Sequence, residues 1–153
     1  MTPTIRSIGI RNVSFGANVT VIEPVNLYDC EIGDDSFIGP FVEIQKGVTI
    51  GRRCRIQSHS LVCEWVTIGD DTTVAHGVVF INDPYRAGGP ARGDKAKWKA
   101  TRIGANVSIG SHATILPVTI CDRTVIGAGA VVVKDITEAG VYVGNPARLL
   151  RTL

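Results

Sequence analysis

Residues 32–79 read IGDDSF-IGPFVE-IQKGVT-IGRRCR-IQSHSL-VCEWVT-IGDDTT-VAHGVV when the chain is broken every six residues. Isoleucine or valine opens every block, at positions 32, 38, 44, 50, 56, 62, 68 and 74. A helix repeats about every 3.6 residues and a strand about every two, so neither generates this period by itself. A fixed short repeat marks a solenoid, in which each turn stacks on the last and buries a column of side chains. The fifth position is small or β-branched: Ser36, Val42, Val48, Cys54, Ser60, Val66, Thr72 and Val78. That composition suits short extended segments between corners. The second-position glycines, such as Gly33, Gly39 and Gly69, are expected to supply the tight or φ-positive backbone of those corners.

Outward from this stretch the repeat weakens, breaks and returns. Val13, Val19 and Val25 keep the spacing, but Val25 to Ile32 is seven, which predicts a one-residue bulge. Residues 1–12 read as an irregular N-terminal cap. Phe80 holds the register, and the next clean copies start at Ile103, Ile109 and Ile126. Residues 82–102 are rich in Gly, Pro, Lys and Arg without apolar period, which predicts an external loop. A loop of that length in a compact domain is usually functional, and Tyr85 and Trp98 argue against a purely solvated insertion. Ile115 to Ile120 is one residue short. Residues 138–153 form a turn-rich closing segment, in which Leu149, Leu150 and Leu153 predict a short terminal helix or docking tail. The whole chain, 1–153, reads as one domain.

Composition narrows the function. The 153 residues hold 44% hydrophobic side chains and a net charge of +2, too small to imply a nucleic-acid or membrane partner. The start shows no apolar core of signal-peptide length, and no stretch of about 18 apolar residues exists. Cys30, Cys54, Cys63 and Cys121 have no CxxC pair or common spacing, which favours buried or free thiols and a reducing, cytoplasmic setting.

The aliphatic-Gly-x-x-small-x copies are similar to the hexapeptide-repeat family. That resemblance covers roughly residues 13–137 and implies an all-β fold, a left-handed parallel β-helix in which three hexads make one coil. The family includes acyltransferases, zinc carbonic anhydrases, and binding or scaffold members, so the site has to decide. The only histidines, His59, His76 and His112, lack the close pair that a zinc site of this fold uses, so no metal is expected. The stretch from Val74 to Arg86, with Phe80-x-Asn82-Asp83, resembles sugar-nucleotide N-acetyltransferases. So does the end segment, Ile126 to Ile136 followed by Gly144-Asn145-Pro146-Ala147-Arg148. The short step at Ile115 resembles the branch acting on dTDP-linked 3-amino-3,6-dideoxyhexoses.

The resemblance implies acetyl-CoA as co-substrate and a homotrimer with its sites between subunits. The acceptor would be a nucleotide-linked amino sugar destined for a surface polysaccharide such as a lipopolysaccharide O-antigen. It puts Asn82 at the acceptor amine, with a turn-forming Asn before Asp-Pro as the plain alternative. His76 is the second catalytic candidate, as base or donor. Eighteen residues per coil stacks Glu64 under Asn82 and places Ser58, His76 and Ser111 in one column, which predicts a single patch at the mouth of the loop. Asp83, Tyr85, Arg86, Arg92 and Trp98 are candidates for the nucleotide. Ser111, Ala128, Gly129 and Ala130 would let the pantetheine arm approach, with Lys134, Arg148 and Arg151 near the CoA phosphates. An acyltransferase of other specificity, including one for UDP-linked amino sugars, and a non-catalytic scaffold are the alternatives.

Overall fold

A computed structural model describes residues 1–153 as an all-β chain with one short 3-10 helix, Lys95–Lys97. Its strands, mostly two or three residues long, fall into three sheets of seven, six and eight strands. The chain visits the sheets in rotation, so they form the three faces of a parallel β-helix. The first face carries Leu61–Val62 and Val79–Phe80, the second Val66–Ile68 and Thr101–Ile103, and the third Thr73–Val74 and Ser108–Ile109. Partners are 16 to 18 residues apart within the coils, as in Glu31↔Thr49, Ser108↔Val125 and Val125↔Val141. The separation is 35 across the external loop, as in Val66↔Thr101.

The six-residue period is the distance around one face. It turns Ile38, Ile44, Ile50, Ile56, Val62, Ile68 and Val74 inward, each at most 1% exposed, into one cluster of 29 buried residues. Each such side chain contributes about 1.5–3 kcal/mol by leaving water. Ser36, Ser60 and Thr72 are buried in the fifth position because each hydroxyl donates to a carbonyl of the next coil, Ser36 to Gly51 at 2.9 Å.

The structure corrects three expectations. The early column is Ile10, Phe15, Val21 and Leu27, which pair with Leu27, Ile32, Ile38 and Ile44 one coil on. Val13, Val19 and Val25 hold the small fifth position instead, and the step from Leu27 to Ile32 is a residue short rather than bulged. Spacing alone could not separate two columns that share one period. Second, the positive-φ corner residue lies in the fourth position: Asp35, Phe41, Gly47, Arg53, His59, Trp65, Asp71 and Gly77. The second-position glycines serve coil stacking, since a Cβ on Gly33 would lie 2.7 Å from the Gly51 carbonyl carbon. Third, the C-terminus is not helical. Arg148–Thr152 is a strand antiparallel to Gly140–Val143 at the end of the third face.

The irregular steps share one edge. From a first-face core residue to the next on the second face, the step is five for Ile10 to Phe15, Leu27 to Ile32 and Ile115 to Ile120. It is six for Ile44 to Ile50 and Val62 to Ile68, and it stretches from Phe80 to Ile103 at the loop. Steps around the other two edges are all six. The ladders on either side hold the strands in register, so this edge absorbs insertion or deletion without disturbing the core, and closure entropy grows only slowly with loop length.

Candidate active site

The loop leaves the first face after Phe80 and returns to the second at Thr101, and its chain folds back on the coil below. Asn82 stacks above Glu64, with its Nδ2 donating to the Glu64 carbonyl at 3.3 Å. The Lys99 amide donates to the Asn82 carbonyl at 2.9 Å. Lys95 forms an ion pair with the Glu64 carboxylate, whose side chain is only 15% exposed. Trp98 meets Trp65 edge-on, with ring centroids 5.8 Å apart, and Lys95 Nζ lies 5.2 Å from the Trp98 ring. These contacts dock the loop beside Asn82.

Asn82 ends a groove of about 420 Å³ that runs over the first face. Leu61, Val79, Ile81 and Leu116 make its apolar floor, with Gln45 and Tyr85 also lining it. The amide ends of Gln45 are both engaged: its Nε2 donates to Glu43 at 2.6 Å and its Oε1 accepts from the Glu64 amide at 3.3 Å. Cys63 lines the same groove, but burial pushes its thiol up to about 12, so it stays protonated at neutral pH and is no acyl-accepting nucleophile.

His76 lies at the opposite edge, between the third face and the first. Its Nδ1 shares a hydrogen bond with Ser58 Oγ at 2.9 Å. The column is the one that coil counting predicts, since the His112 amide donates to the His76 carbonyl and the Gly129 amide to that of Ser111, both at 2.9 Å. His112 lies over Gly77, where a Cβ would come within 2.7 Å of its ring. His59 stacks on Phe41 at 4.9 Å between centroids. The first-face strand Val79–Phe80 separates His76 and Ser111 from Asn82 and Glu64. Within one chain, therefore, the expected single patch is two sites on the two edges of one face. The sequence offset gives the stacking of residues but not which corner faces which.

The remaining candidates divide. Both Asp83 oxygens accept backbone amides, from Tyr85 at 3.1 Å and Ala91 at 2.7 Å, so this carboxylate shapes the loop. Ala130 is fully buried, its methyl in the core, whereas Ala128 and Gly129 are exposed beside His112. Lys134 and Arg148 share a hollow of about 300 Å³ with Tyr142 and Leu149, and Arg151 is exposed on the last strand without joining it. Tyr85 is exposed, and Arg86 and Trp98 line a second cavity within the loop; Arg92 is exposed but does not line it. Sequence reading missed Lys95, Lys97, Lys99 and Trp65. The basic run on the loop was visible, but its partners on the coil were not.

Residues 29–64 match the family described as bacterial transferase hexapeptide (six repeats), and residues 100–134 match the hexapeptide repeat of succinyl-transferase. Its repeat and its coil are similar to those of the hexapeptide-repeat proteins over these two segments. Among solved structures it is similar to a variant of AntD, an N-acyltransferase from Bacillus cereus in complex with dTDP and coenzyme A. The TM-score is 0.80 at 23% identity, covering 91% of this chain and 83% of that one. A hexapeptide-repeat acetyltransferase from Vibrio cholerae in complex with acetyl-coenzyme A superposes with TM-score 0.67 at 26% identity, over 80% and 70% of the two chains. Galactoside O-acetyltransferase of Escherichia coli is 35% identical over 129 residues, 80% of this chain and 63% of its own length. The bifunctional protein GlmU of Synechococcus is 27% identical over 93% of this chain but only 33% of its own length. The chain thus spans between about a quarter and two thirds of the length of the curated relatives it matches. No helix is long and apolar enough to cross a membrane.

Proposed function

We propose that this protein is a cytoplasmic, acetyl-CoA-dependent N-acetyltransferase that acylates the amino group of a dTDP-linked 3-amino-3,6-dideoxyhexose for a surface polysaccharide. The observation that carries this reading is Asn82. The Glu64 carbonyl occupies its Nδ2, which leaves Oδ1 to accept from an N–H at the end of the apolar groove. An amine held there as its neutral form presents its lone pair to a thioester carbonyl. The N–C bond forms through a tetrahedral oxyanion, the C–S bond breaks, and the amine proton leaves with the thiol or solvent. The corner of half-buried Ser111 and exposed Ala128 and Gly129 offers backbone to the pantetheine arm, and Lys134, Arg148 and Arg151 supply cations for the CoA phosphates. Because one face separates the Asn82 and His76 edges, a complete site needs a neighbouring copy, which supports a homotrimer with sites between subunits. The dTDP and coenzyme A of the AntD complex support the choice of ligands.

A specific observation favours a second reading, O-acetylation. With Nδ1 held by Ser58, the other ring nitrogen of His76 is available as a base for a hydroxyl acceptor, and the Escherichia coli relative is an O-acetyltransferase. The test is thiol release from acetyl-CoA with dTDP- and UDP-linked amino sugars beside the matching hydroxy sugars. The proposal expects a dTDP-amino sugar to accelerate release most. If no amino-sugar nucleotide does so, it fails, and acceleration by hydroxy sugars alone selects O-acetylation.

A further inference from the structure

The external loop forms an open cavity of about 260 Å³, which meets the first-face groove at Asp83. Arg86, Lys97, Trp98 and Lys99 line it, with Asp83 and the small residues Ala87, Gly89 and Ala96. Arg86 and Lys99 form no ion pair with any carboxylate of the chain, and the Lys97 ammonium reaches only Asp94, at 3.6 Å. Three basic residues thus line one small concavity, whereas Lys95 is turned away onto Glu64 and Arg92 lies outside the lining. The one acid in the lining, Asp83, has both oxygens bound by backbone amides. Gathering cations with fewer counter-charges than cations costs energy through their mutual repulsion, and an anion in the cavity reduces that cost. The cavity also adjoins the acceptor position, since Lys99 and Asn82 are joined by a backbone hydrogen bond and Asp83 follows Asn82.

We propose that this cavity binds the diphosphate of a nucleotide, with Arg86, Lys97 and Lys99 as its cations and the Trp98 ring as the adjoining surface for a base. Arg86 offers a planar fork to two phosphate oxygens, and the lysines act as mobile point charges. In a nucleotide sugar the hexose lies directly on the diphosphate, so anchoring the diphosphate beside Lys99 delivers the sugar ring to Asn82. This deepens the function proposed above, on which the choice of a nucleotide sugar rests. Coenzyme A carries a diphosphate too, and the test separates the two sources.

The test is equilibrium binding, without turnover, of dTDP, thymidine, inorganic pyrophosphate and coenzyme A to the full chain and to Arg86→Met, Lys97→Met and Lys99→Met. Thermal melts confirm that the variants fold. The expected result is that dTDP and pyrophosphate bind while thymidine binds much more weakly, and that Arg86→Met and Lys99→Met each weaken dTDP by about tenfold or more. Coenzyme A binding stays unchanged if the nucleotide sugar is the source, and falls in parallel if coenzyme A is. Because no chemistry is read, a failed acetylation assay leaves this result intact. If the unsubstituted protein binds none of these ligands, or the variants bind all of them equally well, the proposal is overturned.

Discussion

At the scale of single residues, two side chains compete for the chemistry and two kinds of glycine serve the fold. Asn82 is oriented by a carbonyl one coil away and ends the apolar groove, whereas His76 is exposed at the other edge and tied to Ser58. Asn82→Ala is expected to lower kcat/KM for the amino-sugar acceptor about a hundredfold, and His76→Asn by less than about tenfold. Steady-state kinetics on both variants decides, and the reverse order makes His76 the base. Among the glycines, a Cβ on Gly110 would lie 2.5 Å from the Ala128 nitrogen, while one on Gly129 would meet nothing within 4 Å but would sit at φ +69°. Gly110→Ala should cost about 1–3 kcal/mol through overpacking of backbone that cannot move aside. Gly129→Ala should cost about 1 kcal/mol of local strain. Urea unfolding of both variants measures the difference, and equal costs would show that coil spacing does not restrict the second position.

At the scale of the element, the loop is a docked structure. Its anchors are the Lys95–Glu64 pair, the Trp98–Trp65 edge contact and the Asp83 carboxylate that accepts two loop amides. Each of the first two is worth on the order of 1 kcal/mol. A shift of that size changes the population of an opened loop about fivefold. Lys95→Met and Trp98→Ala should therefore each speed tryptic cleavage after Arg86 or Arg92 by about that factor while the thermal melt of the coil barely moves. Unchanged cleavage would mean that these contacts do not hold the loop. The loop's existence, length and basic character were legible because the six-residue period stops after Phe80. Its anchors were not, because a side chain reaching across 31 positions, as Lys95 does to Glu64, leaves no periodic trace.

At the scale of the molecule, all irregular steps lie on the edge between the first and second faces, and the other edges are strictly regular. A three-sided prism with regular edges offers flat surfaces to neighbours, and closed cyclic symmetry is the usual way to cover them. Sedimentation equilibrium is expected to give three times the 16.3 kDa chain mass. A monomer at micromolar concentration would rule out sites shared between subunits and leave the Asn82 edge to work alone.

The sequence by itself determined the repeat, the inward column from Ile32 to Val74, the stacking of Glu64 under Asn82 and of Ser58, His76 and Ser111, and the break where the loop leaves. Each follows from a period, and a period is written in the chain. Only the tertiary structure decided which of two parallel columns in the first coils continues the line from Ile32 to Val74, why the second-position residue is glycine, and that His76 and Asn82 stand at opposite edges of one face. It also decided which loop cations are paired and which line a cavity. These depend on contacts between positions a coil or more apart. Their distances are set by closure of the prism and by the close stacking of one coil on the next, which no local spacing encodes.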